Sequence, residues 1–312
     1  MRNILNGLKI LCCTIATFAA IGLHAEPVIL HEERSLYRNI IVFENNGLRC
    51  LKFDERSSRL NQSCMYIDDP QKLFFSVSRL QFSALLTIDD PKKVLIIGLG
   101  GGTMSNALHQ LYPDIEIDNV EIDPAVVKVA RDYFDFYESD KITSHTQDGR
   151  IFVKRALLKK KQYDWIMLDA YNGDYIPEHL LTREFLEEVK ALLAPNGILA
   201  ANTFTSSKLY AYESSTYQSV FGHYYNVRFD TSDNRIILTK NWSEAGTDDF
   251  LSPLGQQAIE ARIAQLQPKV TPLGVDLTQL NNLLESTQHT QDWPKDTKVL
   301  TDQFSPANLL NN

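Results

Sequence analysis

Residues 93–123 read KVLIIGLGGGTMSNALHQLYPDIEIDNVEID, and the order of residue types along them decides the fold. Val94 to Ile97 is a short apolar run rich in β-branched residues, the pattern of a parallel strand buried on both faces. Gly98, Gly100, Gly101 and Gly102 follow, a composition that lets a ligand approach the backbone. From Thr103 to Leu111 the period changes to helical, with Met104, Ala107, Leu108 and Leu111 on one face, until Pro113 and Asp114 stop it. Ile115 to Ile122 is a second strand whose end carries Glu121 and Asp123. Such a unit presents backbone N–H groups and a helix N-terminus at the carboxyl end of its first strand. An acid at the end of the second strand, about 20 residues after the glycines, can accept from two ribose hydroxyls. The expected ligand is a nucleoside. The unit does not separate NAD from S-adenosylmethionine or its decarboxylated form. The plainer reading is a tight strand–helix turn with a solvated acid.

Downstream, strands and helices keep alternating. Pro124 suits a first helical turn, and Ala125 to Phe134 carries a broad apolar face. Ile142 to Thr146 is a strand, followed by Asp148, Gly149 and Arg150. Asp148 reads as the cap of a helix over 150–158 and as an acceptor for an adenine amino group. Tyr163 to Leu168 is a fourth strand ending in Asp169, then the loop AYNGDYIPEHL. Thr182 to Leu193 is a helix, Pro195-Asn196-Gly197 a turn, Ile198 to Phe204 a fifth strand and Lys208 to Phe221 a helix. Tyr225 to Asp230 and Arg235 to Lys240 close as a hairpin. The pattern predicts an α/β fold, a Rossmann-like sheet of methyltransferase type with helices on both faces and an antiparallel end. Ligands of such sheets sit at the carboxyl ends of the strands, where Gly98, Gly100, Gly101, Gly102, Glu121, Asp123, Asp148, Gly149 and Asp169 converge. Asp169 can position or deprotonate an incoming amine. Tyr171, Asn172 and Asp174 share its loop, and Asp169, Asp174 and Tyr171 are the catalytic candidates. The scattered histidines have no metal-ligand spacing, so no metal is expected.

Upstream, Asn39–Glu44, Gly47–Phe53 and Leu60–Ile67 read as strands of a small antiparallel β-domain. Residues 26–34 read as a linker and Leu73 to Thr87 as a helix packed on the main sheet. Cys50 and Cys64 would face each other in a hairpin turning near residue 57; a disulfide and two buried thiols both fit. At the N-terminus, Arg2 and Lys9 precede an apolar run from Ile10 to Leu23, and Leu-His-Ala at 23–25 offers a cut before Glu26, the form of an export signal. The protein is then exported to the periplasm or secreted; uncleaved, the segment is an anchor, although the run is shorter than the ~20 residues that span a bilayer. The expected organisation is 1–25 signal peptide, 26–72 β-domain, 73–245 nucleoside-binding domain and 246–312 helical tail.

The chain has 312 residues and a net charge of −8. Losing residues 1–25 would remove two cations, Arg2 and Lys9, and leave it more acidic. That balance argues against nucleic acid as a partner and suits a small cationic amine. A homodimer is one assembly open to it.

The stretches VLIIGLGGGT, VEIDPAVVKVARDYF, QDGRIFV, YDWIMLDAY with IPEHLLTREFL, and LLAPNGILAANTF together resemble the spermidine synthase family of aminopropyltransferases, over roughly residues 46–240. The resemblance implies a small N-terminal β-domain, a Rossmann-like core, and transfer of an aminopropyl group from decarboxylated S-adenosylmethionine to a polyamine amine. It implies that Glu121 holds the ribose, Asp148 meets adenine, Asp169 is the catalytic acid of the DSSD-type motif and Gln62 stands near the nucleoside. Three departures stand out. The family's glycine loop carries an Asp for the cofactor's free amine where this chain has Gly101. The motif's second acid aligns with Asn172, with Asp174 close by. The family's Tyr and Glu before the glycine strand are absent from SVSRLQ at 76–81. These departures resemble the divergent bacterial spermidine synthase-like branch, as does the closing TDQFSPANLL, whose Asp302 either approaches the site or docks a tail. Two other functions fit the residues: a methyltransferase using S-adenosylmethionine itself, and a noncatalytic, exported nucleoside-binding protein.

Overall fold

A computed structural model describes residues 26–53, 61–88, 90–171, 175–230, 232–241, 250–287 and 289–306. The expected export signal with Cys12 and Cys13, the turn near residue 57, and Asn172 and Asp174 lie outside the described residues.

The chain opens with a four-stranded antiparallel sheet, β1 (Val28–Arg34), β2 (Asn39–Asn45), β3 (Leu48–Phe53) and β4 (Asn61–Tyr66), in the order β1-β2-β3-β4. The linker expected over 26–34 is instead strand β1, paired with β2 from Val28↔Glu44 to Arg34↔Asn39. It is an edge strand with charged, largely exposed side chains; such edges carry polar residues and lack the alternation by which half-buried strands are read. Within the β3–β4 pair Cys50 lies directly opposite Cys64, with Cα atoms 4.1 Å apart, and the two form a disulfide.

The helix expected over 73–87 is shorter, α1 (Ser76–Gln81), and tightens into a 3₁₀ segment at Phe82–Leu86 that is wholly buried. Then come β5 (Lys93–Ile97), α2 (Thr103–Leu111), β6 (Glu116–Glu121), α3 (Pro124–Tyr133), β7 (Ile142–Thr146), α4 (Gly149–Leu158), β8 (Tyr163–Leu168), α5 (Arg183–Leu192), β9 (Leu193–Phe204), α6 (Tyr210–Phe221), β10 (Tyr225–Val227), β11 (Asn234–Lys240), α7 (Pro253–Val270), α8 (Leu277–Asn282) and β12 (Leu284–Ser286). The expected Pro195-Asn196-Gly197 turn is absorbed into β9, with Asn196 at φ 64° and an irregularity in the β8–β9 register. The tail is not purely helical, because β12 pairs with β10 at the sheet edge.

The large sheet has the order β12-β10-β11-β9-β8-β5-β6-β7. Strands β5 to β9 run parallel to one another, and β11, antiparallel to β9, begins the antiparallel end with β10 and β12. The central strands are apolar on both faces, as strands covered on both sides must be: Val94, Ile96 and Trp165 pack into one core layer and Leu95, Ile97 and Ile166 into the other. The strand order reverses between β5 and β8, which opens a crevice at their carboxyl ends. The small sheet packs Ile40, Val42, Leu51 and Met65 against Val126, Val129 and Phe134 around α3, next to that crevice. Among the described residues no helix is long and apolar enough to cross a membrane.

Candidate active site

The parallel ladder runs one residue past the strands. Gly98 N–H donates to the Val120 carbonyl (2.8 Å), Asp169 N–H to Ile97 (2.8 Å) and Gln147 N–H to Glu121 (3.0 Å). This registry brings the glycine turn, Glu121, Asp148 and Asp169 to one sheet edge. They line a cavity of ≈ 350 Å³, whose other wall comes from the small sheet through Arg38, Phe53, Gln62 and Ser63. A cavity of that size suits a small molecule.

Gly98 has φ +98°, and a Cβ there would overlap the Asp169 carbonyl; only glycine lets these two strand ends close. Gly98 and Gly100 line the cavity, but Gly101 and Gly102 do not. A Cβ on Gly101 would stand 2.7 Å from the Ser63 hydroxyl and 3.0 Å from the Phe134 ring. The position at which the resembling family carries an acid therefore has no room for one. Gly102 packs on Phe136 and caps α2, and Gly149 lines the cavity against Ile97.

Glu121 accepts from Leu99 N–H (3.2 Å) on one oxygen and from Asp123 N–H (3.0 Å) on the other. Each oxygen keeps a lone pair for a further donor. Burial raises its pKa, opposed by those two N–H groups and by the nearby Arg38 charge. Asp123, expected to bind cofactor, lies outside the cavity. It is fully buried, its Oδ1 caps α3 at Ala125 N–H (2.9 Å) and its Oδ2 accepts from the Ser35 hydroxyl (2.5 Å). Ser35 in turn accepts from the N–H groups of Tyr37 and Arg38 (3.0 Å each). The Asp123 carboxylate thus fixes the β1–β2 turn that delivers Arg38 to the cavity.

Asp148 uses Oδ1 to cap α4 at Ile151 N–H (3.0 Å), and Oδ2 meets His179 Nε2 (2.7 Å). Both residues line the cavity, with Gln62 and Tyr171. The Tyr171 ring stands edge-on to Phe204 at 5.0 Å, and burial raises its hydroxyl pKa well above the usual value. Asp169 accepts from the Asn202 amide at 2.8 Å. Burial pushes its carboxyl up to about 6, against the opposing effect of that hydrogen bond. A carboxylate so poised can take a proton near neutral pH.

Asp302 is a docking residue. Its carboxylate binds Arg150 (2.6 and 2.8 Å) and the Thr182 hydroxyl (2.7 Å), away from the nucleoside cavity. The Arg150 hydrogen bond holds its pKa down at about 2. Among the described residues no group of three or more His, Cys, Asp or Glu is arranged to hold a metal.

Sequence reasoning passed over two residues of the cavity wall, Arg38 and His179, and one that backs Asp169, Asn202. Asn202 had a signal, an amide inside the buried strand ILAANTF. His179 and Arg38 had none: one is a histidine in a loop and the other an arginine before a strand. Arg38 stacks on Phe53 (4.2 Å to the ring centroid) and reaches the Tyr171 carbonyl at 3.5 Å. Its buried Nε has no partner among the described residues.

Comparisons with known proteins bear on the same stretches. The spermine/spermidine synthase domain matches residues 74–232. The polyamine aminopropyltransferase of Vibrio vulnificus is 44% identical over 303 residues, covering 96% of each chain. A probable spermidine synthase from Corynebacterium glutamicum superposes with a TM-score of 0.61 at 22% identity, over 75% of this chain and 86% of that one. Human methyltransferase-like protein 13, solved with SAH, gives 0.52 at 25% identity over 60% and 90%.

Proposed function

The chain belongs to the spermine/spermidine synthase family, and on that premise we propose that it moves an aminopropyl group from decarboxylated S-adenosylmethionine to a polyamine or similar amine. The observation that carries the proposal is the convergence of Glu121, Asp148 and Asp169 on one cavity at the switch point of the sheet. The sulfonium of the co-substrate supplies the leaving group. Glu121 accepts from the ribose hydroxyls, as its free lone pairs allow. Asp148 and the 98–100 backbone hold the adenine end and the turn of the nucleoside, with Gln62 above them. Asp169 orients the acceptor nitrogen for in-line attack. A C–N bond forms, the C–S bond breaks, methylthioadenosine departs, and the amine proton passes to Asp169.

Arg38 favours a second reading, in which the co-substrate is intact S-adenosylmethionine. A guanidinium with an unmet donor suits a carboxylate, which the decarboxylated form lacks, and the crowded Gly101 position offers no acid to the free amine. Calorimetry on wild type and Glu121→Ala separates the readings. We expect methylthioadenosine to bind wild type and Glu121→Ala to weaken it at least tenfold, the loss of hydrogen bonds to a charged group. Tighter binding of S-adenosylmethionine than of its decarboxylated analogue favours the methyltransferase. Failure of all three ligands to bind folded protein leaves a noncatalytic role.

The proposal extends to the compartment. The Cys50–Cys64 disulfide supports export by residues 1–25, because such bonds persist in oxidising surroundings.

A further inference from the structure

Asp169 is held from behind. Asn202, on β9, is 5% exposed and donates its amide to Asp169 Oδ1 at 2.8 Å. The Asn202 carbonyl oxygen accepts from the Asn234 amide on β11 at 3.0 Å. The pairing register explains the reach. Asn202 lies opposite Ile236 and Asn234 opposite Phe204, so the two asparagines are diagonal neighbours on one face of the sheet. The direction of the chain is forced by chemistry. An ionised carboxylate only accepts, so Asn202 must turn its NH₂ toward Asp169; its oxygen then faces Asn234, which must donate. Turning Asn202 round would set oxygen against oxygen at one end and NH₂ against NH₂ at the other. Among the described residues nothing donates to Asp169 Oδ2, which is left to the cavity.

We propose that Asn234, acting through Asn202, is a positioning residue for Asp169, fixing the carboxylate with Oδ1 engaged and Oδ2 presented to the acceptor amine. This rests on the reading of Asp169 as the proton acceptor. Asn234 lines none of the nucleoside cavity, so it touches no substrate. A neutral amide stabilises the charged carboxylate by one hydrogen bond and brings no charge that would repel a cationic amine, as an arginine or lysine would. The other ionisable groups around Asp169 are Tyr171 beside it, whose hydroxyl also faces the Asn234 side chain, Glu121, Arg38, Tyr37 and the Asp148–His179 pair across the cavity, and Glu213 and Tyr217 with Arg235 behind Tyr171. Leucine at 202 or 234 changes none of their charges.

The test uses the full chain and three variants: Asn202→Leu, Asn234→Leu and the double variant. Carbon-13 NMR follows the titration of the Asp169 carboxyl, identified by its disappearance in Asp169→Asn. Loss of the donor should move that titration to higher pH by about one unit in Asn202→Leu and about half a unit in Asn234→Leu. The double variant should match Asn202→Leu alone in the Asp169 titration, because the Asn234 amide reaches that carboxylate through Asn202. The acid limb of kcat/KM should move with the titration. Methylthioadenosine binding reports that the fold is intact; should Asn234→Leu not fold, Asn234→Ser makes the same comparison with less change in volume. An unmoved titration in the folded Asn234 variant, or additive shifts in the double variant, overturns the relay. The NMR reading needs no turnover, so failure to detect aminopropyl transfer tells against the proposed reaction and leaves this test standing.

Discussion

A methyl group at position 98 has nowhere to go. The Asp169 carbonyl occupies the space, and φ +98° is costly for any residue with a Cβ. Gly98→Ala should destabilise the protein by about 3 kcal/mol or more, and it should weaken methylthioadenosine binding by pushing Asp169 away from Glu121. Urea unfolding and calorimetry check the two effects; a normal midpoint with normal binding contradicts this packing. Gly101 is a different case, because Ser63 and Phe134 crowd the place where a side chain would stand. At this scale the sequence was informative where a residue's role follows from its own position in the chain. Glu121, Asp148 and Asp169 end strands or open helices, and the parallel register carries them to one edge. Asp123 follows Glu121 by two residues and caps α3, and its carboxylate is taken by Ala125 and Ser35. Ser35 is 88 residues away, so no local pattern could announce the bond.

The central strands announce themselves by composition, but their polar members do not. Asp118, in the middle of β6, accepts from Lys161 and the Tyr163 hydroxyl at 2.7 Å each and lies 2.7 Å from His145 Nε2. Burial would raise its pKa, but those three hydrogen bonds outweigh it and hold the carboxyl well below the usual range. A depressed pKa contributes stability above the ordinary carboxylate value, about 4, and loses it as pH falls toward the folded-state value. Asp118→Asn should therefore lower unfolding free energy by about 1–3 kcal/mol at pH 7, and the deficit should narrow as pH falls below about 4. A deficit unchanged by pH would contradict the charged form of this cluster. Edge elements were the least legible for a related reason. β1 buries little of its own surface and β12 is a three-residue strand; both owe their existence to pairing with β2 and β10. The alternation of strand and helix from Lys93 to Phe221 needed no such help, because each element buries an apolar face of its own.

The two sheets divide the work of the whole molecule. The large one supplies the acids, and the small one closes the cavity through Arg38, Phe53, Gln62 and Ser63, with the Cys50–Cys64 disulfide tying together β3 and β4, the strands that carry the last three. If residues 1–25 direct export, protein recovered from its own cells should begin at Glu26 and resist alkylation until reduced. Intact mass with and without reductant checks both; a full-length chain with two freely alkylated thiols at Cys50 and Cys64 contradicts export. The central claim is the transfer itself. Purified protein should be incubated with decarboxylated S-adenosylmethionine and putrescine, with methylthioadenosine and the new polyamine followed together by mass spectrometry. The account predicts equal amounts of the two products, an acid limb near pH 6 set by Asp169, and a fall of about 10²-fold or more in Asp169→Asn. Undiminished transfer by Asp169→Asn, or methyl transfer from S-adenosylmethionine with no methylthioadenosine formed from the decarboxylated form, would contradict it.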